Sequence, residues 1–264
     1  MLLLMEKLFI KMISNREIKT LMSLSTKKGR KESGKYLIEG FRITRSALRN
    51  KGPVLKIYIT DKFKSSNDFQ QIFSLIPKKV DVTVLEEKII KSICQTLHPS
   101  GVFATCLLKN DIKKTKLIID NCIYLDEVSD PGNLGTILRS AAWFGIKNVA
   151  LSPKCVDVFN PKVVRSGMGA HFMLNILRNS DLHEFQKNNF CILGADQNGA
   201  PMYDFYNNNK KWVLVIGSEG HGISEANKKF IDHFLSIPST GSGDSLNASI
   251  AGSILMHHLI NTKN

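Results

Sequence analysis

No stretch of about 20 apolar residues occurs in this 264-residue chain, so no segment reads as a transmembrane helix. The opening Met-Leu-Leu-Leu-Met is apolar, but Glu6 and Lys7 break it. No charged segment precedes it and no small-residue cleavage site follows, which argues against a secretory signal. The five cysteines, Cys94, Cys106, Cys122, Cys155 and Cys191, are scattered and odd in number, and none forms a CxxC pair. That excludes a disulfide framework, argues against a metal site and suits a reduced, cytoplasmic compartment. The seven histidines do not cluster as ligands; His257 and His258 read as surface or packing residues of a C-terminal helix. Neither GxGxxG nor GxxxxGK[ST] is present, so the dinucleotide fingerprint and the triphosphate loop are both missing.

Acidic residues are also scarce, with 23 Asp and Glu against 36 Lys and Arg, a formal net charge of +13. Residues 1–110 hold nearly all of the excess, 21 basic against 9 acidic, whereas residues 111–264 are almost balanced, 15 against 14. A polyanion is the expected partner of the first part, and other work is expected of the second.

The hydrophobic pattern supports two α/β units. Residues 1–11 read as an N-terminal extension or a short amphipathic helix, and residues 12–109 as the basic domain. Within it, Ser25 to Lys35 is expected to be a polar, glycine-punctuated loop. Tyr36–Gly40, residues 55–59, 80–85 and 102–108 alternate as strands, and Ile89, Ile90 and Ile93 have helical spacing. Residues 110–116 are polar and read as a linker. In residues 117–264, buried strands at 117–125, 148–151, 190–193, 211–216 and 234–237 alternate with helices. That alternation predicts a parallel sheet covered on both faces, with ligands bound beyond the carboxyl ends of its strands.

Three motifs follow predicted strands. Asp130-Pro131-Gly132-Asn133-Leu134-Gly135-Thr136-Ile137-Leu138-Arg139 opens a helix, with Asn133 as a candidate cap and Arg139 under two turns further on. Gly217-Ser218-Glu219-Gly220-His221-Gly222 puts glycines directly after an apolar strand, where a ligand can approach the backbone. Ile237-Pro238 leads through a flexible loop to Ser245-Leu246-Asn247 and a long apolar helix that either Ser245 or Asn247 starts.

The ordered set of motifs, with Asn160-Pro161-Lys162-Val163-Val164-Arg165-Ser166-Gly167-Met168-Gly169-Ala170 between them, resembles the SpoU (TrmH-like) family of RNA ribose 2′-O-methyltransferases over nearly the whole chain. Tyr36–Gly40 and His98-Pro99-Ser100-Gly101-Val102 resemble the L30e-like substrate-binding module of its rRNA-modifying branch. Ala142, Ser218, Asp244 and Met168 depart from residues common in the family. The resemblance implies an α/β fold: a C-terminal SPOUT domain with a parallel sheet and a trefoil knot, preceded by a small L30e-like α/β domain. It implies S-adenosylmethionine as cofactor, held near Ala195, Gly217, Ser218, Ile237 and Leu246. It implies a homodimer, to which Ile250, Ile254, Leu255 and Leu259 contribute if they are not core. RNA is the implied partner, ribosomal RNA before tRNA, with Lys27, Lys28, Arg30, Lys35, Arg42 and Arg165 as contacts, and no metal or membrane is needed.

Arg139 is the activating group by resemblance. A guanidinium stays protonated in proteins, so gripping the 3′-side phosphate and stabilising the emerging alkoxide suits it better than acting as a base. Asn133 braces the motif, Ser245 and Asn247 position arginine or ribose, and Glu219 either handles the proton or accepts from loop amides. A non-catalytic RNA-binding factor is the alternative; it would be expected to lose Gly217, Ser245 or Arg139, and all three are present. Asn133 with Arg139 argues against a base methyltransferase.

Overall fold

The computed structural model describes residues 13–96, 98–108, 120–206, 211–241 and 245–261. The expected extension and linker lie outside these residues. Two compact units are present, one comprising residues 1–110 with Phe159–Phe172, the other residues 111–158 and 173–264.

The first unit has a four-stranded mixed sheet made of β1 (Lys35–Glu39), β2 (Val54–Ile59), β3 (Asp81–Val84) and β4 (Val102–Leu107), ordered β1-β4-β2-β3. Ile38, Ile57, Ile59 and Ala104 fill its core on one face, and Leu37, Tyr58 and Phe103 pack on the other. This alternation is the period-two pattern of the sequence.

Residues 25–35 depart from expectation. Lys27–Ser33 is a helix, because Thr26 Oγ1 accepts from Gly29 N at 3.0 Å and Gly34 ends it at φ +65°. Gly29 is required inside this helix, since a Cβ there would stand 2.1 Å from Ser23 O.

Phe159–Phe172 is the second departure, since the reading of 117–264 as one domain placed it with the other unit. Val164 is buried in the first unit's core, the Phe159 ring lies 4.6 Å from that of Tyr36, and Ser46 Oγ donates to Gly169 O at 3.4 Å. A chain cut near residue 116 would strand this segment without its packing partners.

The second unit has a six-stranded, wholly parallel sheet: β5 (Cys122–Leu125), β6 (Asn148–Leu151), β7 (Asn175–Leu177), β8 (Cys191–Pro201), β9 (Trp212–Ile216) and β10 (His233–Ser236). Its order is β10-β8-β9-β5-β6-β7. Every residue of β5, β6 and β9 is buried, as their continuous apolar runs predict. The short edge strand β7 was not anticipated, and β8 is longer than expected. The register jumps along β10, where Phe234 faces Gly194 but Leu235 faces Ala200, so residues 195–199 leave that ladder. Helices Pro131–Trp143 and Ala248–Asn261 pack together, with Ser140 Oγ 2.7 Å from Ser253 Oγ.

Candidate active site

Because the six strands are parallel, the loops after β5, β8, β9 and β10 all leave one edge of the sheet, where such folds bind ligands. The site is built from the ends of these strands.

The loop after β5 opens helix Pro131–Trp143. Asp130 is its cap, accepting from Asn133 N at 2.8 Å, and Pro131 takes the first helical position. This corrects the expectation that Asn133 caps. The capped geometry instead frees the Asn133 side chain, whose Nδ2 donates to Glu219 Oε1. Arg139 therefore falls in the third helical turn; it is exposed and makes no hydrogen bond or ion pair among the described residues.

The loop after β9 is closed on itself. Ser218 N donates to Gly222 O at 3.0 Å and Gly222 N to Ser218 O at 2.8 Å. Gly217 is buried beneath this closure, and a Cβ on it would stand 2.1 Å from the Gly222 carbonyl carbon. Glycine is required there because the obstacle is backbone. The closure turns Glu219 outward, where it accepts from side-chain amides and not from loop amides.

The third strand end supplies Asn247, whose amide works in two directions. Oδ1 caps helix Ala248–Asn261, accepting from Ser249 N at 2.9 Å and Ser249 Oγ at 2.6 Å. Nδ2 donates at 3.0 Å to Asn133 Oδ1 and at 3.0 Å to Glu219 Oε1. One residue from each motif thus meets the other two. Ser245 is exposed and outside this network, and Asn247, not Ser245, starts the helix.

The cofactor candidates occupy the same edge of three adjacent strands. Ala195 is half-buried on β8, Ser218 is half-buried after β9, and Ile237 is half-buried after β10. Leu246, 50% exposed, presents apolar surface.

Two supports at this edge were missed by the sequence reasoning. Asp126 is 1% exposed and holds the segment beyond the glycine loop, accepting from Ser224 N and Asn227 Nδ2, both at 2.8 Å. Glu127 sits at φ +55° and pairs with Lys154 Nζ at 2.8 Å and His221 Nε2 at 3.4 Å. The Lys154 hydrogen bond, with the charges of Lys154 and His221, holds its carboxyl below the ordinary value. The available signal was the Asp126-Glu127 pair placed directly after a buried strand.

In the first unit, Lys27, Lys28 and Arg42 are exposed, and Lys35 and Arg165 are half-buried. Arg30 does not fit the role expected of it. It is 3% exposed, and its guanidinium donates to Leu24 O at 2.9 Å and Ser25 O at 3.0 Å, so it ties two turns together and is buried away from the surface where a phosphate contact would lie.

The fold defines an α/β protein with a candidate ligand site at the carboxyl edge of a parallel sheet. Family models then agree. The SpoU rRNA methylase family matches residues 120–257, and the MRM3-like substrate binding domain matches residues 15–104. The chain belongs to the SpoU rRNA methylase family. It is similar to the 23S rRNA (guanosine(2553)-2′-O)-methyltransferase RlmP of Bacillus subtilis, 31% identical over 254 residues, covering 95% of this chain and 98% of that protein. Among solved structures, it resembles a TrmH-family protein from Porphyromonas gingivalis with a TM-score of 0.81 and 31% identity, covering 94% of this chain and 98% of that one. The SpoU methyltransferase AviRb from Streptomyces viridochromogenes shares the fold, with a TM-score of 0.82 at 23% identity, over 94% of this chain and 97% of that one.

Proposed function

We propose that the protein moves a methyl group from S-adenosylmethionine to a ribose 2′-hydroxyl of ribosomal RNA. The observation that carries this reading is the junction of Asn133, Glu219 and Asn247, one from each motif, at the carboxyl edge of the sheet.

The cofactor's sulfonium supplies an electrophilic methyl group when bound. The residues present suit it: half-buried Ala195 and Ile237 and half-exposed Leu246 offer uncharged surface, and Gly217 lets the loop backbone lie close to the sheet. The chain's own task is to hold the hydroxyl in line, receive its proton and stabilise the charge that develops. Glu219 Oε1 is filled by two amide donors, whereas Oε2 has no partner among the described residues and is the open acceptor for that proton. Arg139, exposed and without an ion pair among the described residues, grips the neighbouring phosphate and steadies the alkoxide. Ser245 orients the ribose beside it.

The basic unit holds RNA through exposed Lys27, Lys28 and Arg42 with Lys35 and Arg165. The RlmP relative acts on 23S rRNA, which favours rRNA over tRNA. The enzyme works in the cytoplasm as a homodimer. Trp143 at 85% exposure and Ile250 at 52%, on the two packed helices, offer apolar surface to a second copy. Leu255 and Leu259 are core. The trefoil knot belongs to the same reading, supported by the return of β10 to the far side of β8 from β9.

Single-turnover methylation of rRNA tests the assignment. Arg139→Ala is expected to lose about 10²–10³ in rate, the usual cost of one preorganised donor. Arg139→Lys recovers little, because it lacks the planar fork. A near-wild-type rate for Arg139→Ala refutes the role, and failure of the wild type to bind S-adenosylhomocysteine refutes the enzyme.

A further inference from the structure

A cavity in the first unit shares no residue with the motif junction. It has a volume of about 360 Å³ and opens where β1 ends and helix Phe41–Arg49 begins, with its walls completed by Cys94, Thr96, helix Asn67–Phe73 and helix Pro161–Ser166. That volume is within the range of small-molecule sites, roughly 300–1,000 Å³. Four charged side chains line it, Glu39, Arg42, Asp68 and Arg165, among apolar neighbours such as Phe41 and Met168.

The charges are not spent on each other. Neither Arg42 nor Arg165 makes an ion pair among the described residues. Glu39 braces the wall, with Oε1 accepting from Gln95 N at 3.1 Å and Oε2 3.4 Å from Thr96 Oγ1, which leaves part of its acceptor capacity open. Cys94 stays a neutral thiol, pushed up to about 12 by burial and by the Glu39 charge.

A ligand must satisfy both signs of charge. A lone phosphate is too small and would leave the carboxylates facing it. An acidic peptide would be repelled by Glu39 and Asp68. A nucleotide meets both demands: its phosphate is a natural partner for two guanidinium groups, and a base carrying an amino group donates to carboxylates. Proteins read RNA sequence mainly on unstacked nucleotides that are splayed out into such sites.

We propose that this cavity holds one unstacked nucleotide of the substrate RNA, with its phosphate on Arg42 and Arg165 and the amino group of adenine, cytosine or guanine on Glu39 and Asp68. Uracil is disfavoured, because it has no amino group and its one N3–H donor is flanked by two carbonyl acceptors that face the carboxylates. This rests on the RNA methyltransferase reading and assigns the first unit a sequence-selective contact in addition to its charge.

The test uses the full-length protein with saturating S-adenosylhomocysteine, so that AMP cannot enter the cofactor site. Ligand-observed NMR with AMP, CMP, GMP and UMP should rank UMP weakest by about threefold or more, the worth of one hydrogen bond. Arg42→Met and Arg165→Met should each weaken monophosphate binding by about tenfold. Glu39→Gln keeps an acceptor for the wall but adds a donor, so it should admit UMP; Asp68→Asn is the second variant with that expectation. Equal binding of UMP by the wild type, or unchanged binding by both arginine variants, overturns the proposal. A wild type that methylates rRNA but binds none of the four overturns the cavity assignment alone. One that binds neither rRNA nor S-adenosylhomocysteine overturns the function beneath it as well.

Discussion

Replacing Asn247 separates its two jobs. In Asn247→Ala both are lost: helix Ala248–Asn261 loses the acceptor of Ser249 N, and Asn133 and Glu219 lose their shared donor. Loss of the cap should cost about 1 kcal/mol, and the exposed donor bonds add little. For a unit of this size that lowers the melting midpoint by about 2–4 °C. Asn247→Asp keeps an oxygen for the cap but replaces the donor with a carboxylate oxygen 3.0 Å from Glu219 Oε1. In water-like surroundings two such charges repel by about 1.4 kcal/mol, enough to open the junction. A displacement of about 1 Å at such a site can cost about 10² in rate. The aspartate variant should therefore melt near wild type yet methylate more slowly than the alanine variant. Its deficit against wild type at each pH should shrink on acidification, because paired carboxylates raise one another's pKa and one becomes protonated. Thermal melts and single-turnover methylation with saturating rRNA decide the matter. If Asn247→Asp methylates at the wild-type rate, the junction has no part in catalysis.

Gly217→Ala should lose S-adenosylhomocysteine binding by calorimetry, because its Cβ would meet the Gly222 carbonyl carbon at 2.1 Å; tight binding would show that the loop plays no part in holding the cofactor. For Glu17, burial opposes the charged form, but hydrogen bonds from Lys56 and Tyr58, both 2.7 Å, outweigh it and lower the pKa from 4.5. Its stabilisation is thus present above pH 4.5 and lost as pH falls through the lower folded value. Glu17→Gln should lower the melting midpoint at neutral pH and by less in acid, and an equal deficit at both would contradict this. Lys27→Met and Lys28→Met should each reduce the salt slope of RNA binding by about 1, whereas Arg30→Met should lower the melting midpoint and leave the slope alone. A reduced slope for Arg30→Met would return that residue to the RNA contacts.

The sequence alone determined what depends on local order. Continuous apolar runs at β5, β6 and β9 marked a buried parallel sheet, because strands covered on both faces have no polar side. The glycine loop was legible from its place after an apolar strand, and the two asparagines from the resemblance of their motifs to the family's. Only the tertiary structure decided which of them touch: Asn133, Glu219 and Asn247 are joined because parallel strands bring distant loops to one edge, whereas Arg139 and Ser245 stand apart from that network. Arg30 looked like its basic neighbours, since charge is a property of composition and burial is not. Phe159–Phe172 joined the first unit because Val164 and Phe159 found apolar partners there, a long-range choice that no local pattern encodes. The Asp130 cap and the Thr26 and Gly34 helix ends were written in the sequence but competed with equally plausible turns, and packing decided between them.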